Sequence, residues 1–135
     1  MGLQTDLFLG SIEDGQNYDG GTNMNVERIQ LGGLTNLEFE ILRAIVAGES
    51  WEVQRHALEQ IASTEESWTF RFPPAYVKTL QALDSEAMKR AANAWAATAE
   101  IAAPPSAVLP VIESLVLLAK SASATGRDLF VWTAL

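Results

Sequence analysis

A chain of 135 residues that is 48% hydrophobic has the size and apolar content of one domain with its own core, and it needs neither a metal nor a disulfide to fold. The absence of cysteine excludes disulfide scaffolds, thiolate zinc sites and thiol nucleophiles, and it fits a cytoplasmic setting. Seventeen acidic against nine basic residues give a net charge of −8, a field that repels phosphate backbones and anionic lipid and favours a basic protein partner, so neither nucleic acid nor membrane is an expected target.

No basic residue precedes Arg28, so the N-terminus lacks the charged start of a secretory signal. The run Thr5 to Leu9 reads as a short strand closed by Gly10-Ser11. Residues 13–25, EDGQNYDGGTNMN, are dense in Gly, Asn and Asp and are read as a mobile surface loop. Arg28 to Leu31 alternates apolar and polar residues, as a second short strand would, before Gly32-Gly33.

Thr35-Asn36-Leu37-Glu38 has the form of a capping box, so a helix is expected from Thr35 to the left-handed stop at Gly48. A second helix is predicted over Trp51 to Ala62, with Val53, Ala57, Leu58 and Ile61 facing inward and Arg55 paired with Glu59, making a helical hairpin with the first. Ser67 to Phe72 alternates three aromatics with Ser, Thr and Arg and is the best strand in the chain. Beyond Pro73-Pro74 a short helix to Leu83 is expected, then an Ala-rich helix capped by Asp84 or Ser85 and running to about Ala102, with Met88, Ala91, Ala92, Trp95 and Ala99 inward.

A final helix is expected from Val108 to Ala124, with Pro110 in its first turn and Gly126 as its stop. Its apolar stretch, Val108 to Ala119, is shorter than the roughly 20 residues that span a bilayer. Leu129 to Ala134 is β-branched and aromatic without alternation, which predicts a strand covered on both faces, with Thr5 to Leu9 as its neighbour. The expected architecture is therefore α+β, a mainly helical single domain with a small sheet that includes the N- and C-terminal strands.

Candidate chemistry is sparse. His56 is the only histidine, and Glu52 and Glu59 sit about one helical turn to either side, a spacing that could hold a metal but that an ordinary solvated helix face produces far more readily. No phosphate-binding glycine motif, nucleophile elbow or calcium loop is in register, so no catalytic, cofactor or metal residue is assigned. Carboxylate pairs such as Glu38 with Glu40 carry no sign of separated pKa values. Arg71, on the polar side of the aromatic strand, is read first as a structural ion pair and second as an anion-binding fork. Trp51, flanked by Glu49 and Glu52, is the tryptophan outside the expected core, and these three residues form the candidate partner-binding site.

The order Leu7-Phe8-Leu9-Gly10, Leu31-Gly32-Gly33-Leu34, Ala47-Gly48-Glu49, Trp68 to Pro73, Ala94 to Thr98 and Leu129 to Trp132 resembles a group of small bacterial proteins without an assigned activity. The resemblance implies a bacterial source and carries over no site residue. The functional expectation is a non-enzymatic protein-binding or regulatory domain, acting on a basic protein partner or by self-association, toxin neutralisation being one version. The alternative is a small enzyme or small-molecule-binding protein with a pocket near Arg71, His56 or Asp19, which those residues would have to share.

Overall fold

The computed structural model describes residues 2–21 and 26–135. Eleven elements follow in chain order: β1 (Gln4–Gly10), α1 (Ile12–Asn17), β2 (Arg28–Gly32), α2 (Asn36–Ala47), α3 (Val53–His56), β3 (Glu59–Ser63), β4 (Ser67–Arg71), α4 (Pro74–Gln81), α5 (Ser85–Ala96), α6 (Pro105–Thr125) and β5 (Asp128–Ala134). The strands form one antiparallel sheet in the order β2-β1-β5-β4-β3. The domain is α+β, as its composition and patterning predict.

The last strand is the middle of the sheet. Leu7 opposes Val131 and Phe8 opposes Phe130 on one side of β5, while Phe70 opposes Val131 on the other. Alternation along β5 divides its apolar run between two cores. Leu129 and Val131 join Leu7, Leu9 and Phe70 beneath α2, α4, α5 and α6. Phe130, Trp132 and Ala134 turn to the opposite face, where they meet Phe8 and Tyr18. Cover on both faces is what an unbroken hydrophobic strand requires.

The second face is closed by the segment expected to be a mobile loop at 13–25. Ser11 and Asp14 form a capping box that starts α1, with the Ser11 hydroxyl accepting from Asp14 N at 3.1 Å and the Asp14 carboxylate accepting from Ser11 N at 3.0 Å. Residues 12–17 are thus helical, and Tyr18 is buried, stacked on Phe8 with ring centroids 3.8 Å apart. A side chain at Gly15 would come within 2.6 Å of Phe130 and 2.7 Å of Ile61, so the glycine reflects close packing rather than a flexible turn. The rest of that expected loop, 22–25, lies outside the described residues.

The capping box at Thr35 and Glu38 and the left-handed Gly48 bound α2 as expected. The predicted helix over Trp51 to Ala62 is corrected. One turn, α3, is followed by an extended Ala57 (φ −59°, ψ 142°), and residues 59–63 are the edge strand β3, bulged between Gln60 and Ala62. Strand β3 gains a ladder of hydrogen bonds with β4 across a tight turn in which Thr64 N donates to Ser67 O at 2.8 Å. That pairing outweighs a weak local helical preference.

Two further boundaries move. Helix α5 ends at Ala96 rather than about Ala102, because the Thr98 hydroxyl donates to Trp95 O at 2.7 Å and Ala102 takes a left-handed φ of 44°. Helix α6 begins at Pro105, so Pro110 falls inside it instead of in its first turn. Pro110 cannot donate to the carbonyl of Ser106, a residue that is itself exposed. At 21 residues α6 attains the length and apolarity of a membrane span, but Ile112, Leu115, Val116, Ala119 and Ala122 are buried in the domain's main core.

Candidate functional site

Between α2 and β3 the chain makes a short excursion, residues 48–58, that carries all three sequence-predicted partner-binding residues. Gly48, at φ 70°, turns the backbone out of α2, and Glu49 N donates to Ala44 O at 2.9 Å to seal the helix end. Trp51 is 42% exposed and Val53 57% exposed, contrary to the inward face expected for Val53. Both apolar side chains therefore stand in solvent on one short segment.

That segment is held from inside by His56, which is only 1% exposed instead of lying on a solvated face. Its Nδ1 accepts from Glu52 N at 2.9 Å, so the neutral ring carries its proton on Nε2, which donates to Glu49 Oε1 at 2.9 Å. The hydrogen bond from His56 holds the Glu49 carboxyl below the usual carboxylate range, outweighing an opposing desolvation effect, with a smaller contribution from the nearby Arg55 guanidinium. Arg55 Nη1 lies 3.2 Å from Glu49 Oε2, and Arg55 Nε lies 3.7 Å from Glu52 Oε2.

Helix α2 anchors the far end of the excursion. The buried Glu40 carboxylate accepts from Leu58 N at 3.1 Å and from Asn36 Nδ2 at 2.9 Å, and Arg43 Nη1 donates to Ala57 O at 3.4 Å. In the sequence Glu40 stands only as one of a carboxylate pair with Glu38. Its role depends on Leu58 arriving beside it, and no local signal announces a contact between positions so far apart.

Both ring nitrogens of His56 are engaged, Nδ1 by the Glu52 backbone and Nε2 by the Glu49 carboxylate, which favours a structural role. Glu59, the third member of the spacing that suggested a metal, is on β3 and pairs with Arg71 Nε at 3.2 Å. Arg71 Nη1 also lies 3.6 Å from Asp128 Oδ1, so Arg71 is a structural cation that ties β3 and β5 to β4. Asp19 is exposed, on the far side of α1 in the chain. Among the described residues, four clefts of 260 to 550 Å³ are lined by none of His56, Arg71 and Asp19.

A second polar cluster is one that the sequence did not reveal. Asp6 is fully buried on the face of β1 opposite the main core, where Tyr18 Oη donates to its Oδ2 at 2.8 Å and Arg28 Nη1 lies 3.7 Å from the same oxygen. Asp6 Oδ1 has no hydrogen-bond partner among the described residues. Burial, and then the hydrogen bond to Asp6, push the Tyr18 hydroxyl up to about 12.

Two of the clefts among the described residues adjoin the sheet end and helix α2. A cavity of 280 Å³ separates α2 from α5 and is lined by Ile45, Val46, Leu83, Ala87 and Ala91 with Arg90. A cleft of 550 Å³ at the end of the sheet is lined by Trp68, Phe70 and Leu3 with Gln60, Asn36 and Thr133. None of those six residues titrates near neutral pH.

These features define an α+β domain with a five-stranded antiparallel sheet and one rigid, aromatic-bearing excursion at its surface. In comparisons with known proteins, no family model, curated protein or solved structure matches the chain.

Proposed function

We propose that this domain is a non-enzymatic protein-binding module and that the Gly48–His56 excursion is its contact surface. The observation that carries the reading is the exposure of Trp51 and Val53 on a backbone locked by the buried His56. Exposed aromatics on a pre-organised segment bind with little further ordering cost, and tryptophan is enriched among the residues that dominate interface energies. Glu49 and Glu52 flank the indole with negative charge, which together with the net charge of −8 favours a basic partner face. Neutralisation of a basic toxin is one form of this activity.

The test compares the full chain with its Trp51→Ala and Val53→Ser variants, each immobilised and exposed to extract of the native cell, with captured proteins quantified. Species that bind the full chain and fall by about tenfold or more with either variant are expected, a loss equal to about 1.4 kcal/mol. Capture that is the same for all three proteins would remove the excursion from the interface.

The 550 Å³ cleft beside Thr133 favours a second reading, a small-molecule-binding protein, since its volume falls in the usual range of ligand sites. A thermal upshift with a compound library, abolished by Thr133→Val and unaffected by Trp51→Ala, is the outcome that reading requires.

A further inference from the structure

The excursion and the groove between α2 and α5 are neighbours in the chain, and their chemistry is complementary. Ile45 and Val46 line the groove, and Trp51 follows five residues after Val46. The groove's lining is apolar except for Arg90, which is exposed and has no ion pair among the described residues. The excursion is an apolar projection rimmed by carboxylates, of which Glu52 has a side chain 63% exposed.

We infer that the partner of the Gly48–His56 excursion is a second copy of this chain, with Trp51 of each copy seated in the α2–α5 groove of the other and Glu52 paired with Arg90 across the interface. This rests on the protein-binding reading and narrows its basic partner face to the single cation Arg90 on a chain that is itself acidic. The groove's 280 Å³ is ample for an indole, given that an apolar cavity of roughly 150 Å³ accepts benzene. A guanidinium whose fork is unoccupied is suited to a carboxylate arriving with the indole. A two-fold axis lets each copy offer its projection to the other's groove, and the assembly then closes as a dimer instead of growing into a filament. Rigidity imposed by His56 limits the ordering cost on each side. The like net charges of the two copies oppose association at long range and are screened by salt, so the dimer belongs at moderate ionic strength.

The test is sedimentation of the full chain over micromolar to millimolar concentrations, with circular dichroism to verify the fold of each variant. The mass is expected to rise from 14.7 kDa toward twice that value. Trp51→Ala should remain at the monomer mass throughout. Glu52→Arg and Arg90→Glu should each weaken the dimer by about tenfold or more, and the double exchange should restore it, which loss of packing alone would not produce. A full chain that stays monomeric, or a dimer indifferent to all these substitutions, overturns the inference. In the monomeric case, capture of a basic protein that is lost on Trp51→Ala leaves the protein-binding reading standing, whereas unchanged capture removes both.

Discussion

The Asp6–Tyr18 pair shows how one hydroxyl satisfies a buried carboxyl group. Asp6 is enclosed by the sheet and by Tyr18, so loss of the Tyr18 donor leaves a carboxylate oxygen short of a partner in a dry site. Tyr18→Phe should therefore cost about 1–3 kcal/mol at neutral pH, read by urea unfolding. The pH dependence has a definite sign. The folded-state pKa of Tyr18, about 12, lies above the ordinary value of 10, so its contribution is complete below pH 10 and disappears as the pH climbs toward 12. Tyr76 is also held well above the ordinary range by burial, so the full chain loses stability in alkali through both rings. The variant should show the shallower alkaline decline; equal slopes would mean that Tyr18 contributes nothing there.

Among the elements, α1 carries the sharpest correction and the most direct test. Its backbone sits so near Phe130 and Ile61 that a methyl group at Gly15 must displace one of them. Gly15→Ala should raise helix propensity yet destabilise the domain by about 1–3 kcal/mol through overpacking, measurable as a lowered denaturant midpoint. An unchanged or raised midpoint would show that α1 does not press on the sheet. The composition of residues 13–21 hid this element, because Gly, Asn and Asp signal turns whether or not Tyr18 later stacks on Phe8. Segments whose signals are local were readable: the Thr35 capping box, the Gly48 stop, the aromatic alternation of β4 and the apolar run of β5 all appear where expected. The stretch 57–63 was not, since Leu58 and Ile61 fit a helix face as well as a strand, and the ladder with β4 decides between them. The candidate site divides in the same way. Exposure of Trp51 followed from its flanking glutamates, whereas burial of His56 depends on three-dimensional contacts with Glu49 and Glu52.

At the scale of the whole molecule, β5 is the element on which the sheet depends. Strands β1 and β2 pair with each other, as do β3 and β4, but β1 and β4 meet only through β5. Removal of Asp128 to Leu135 should give unfolded or insoluble protein, because it takes Leu129, Phe130, Val131 and Trp132 out of both cores, each worth roughly 1.5–3 kcal/mol in burial. A truncated chain that stays monomeric and melts like the full-length protein would contradict this arrangement. The same topology bears on how the chain is expected to fold. The β3–β4 turn and the packing of α5 on α6 join residues close in sequence, and they can form early. Union of the two half-sheets must wait for Val131 to reach Leu7 and Phe70 together. A chain in which β1 and β4 form before β5 docks would present two open inner edges. Its refolding yield should be governed by protein concentration more than by temperature.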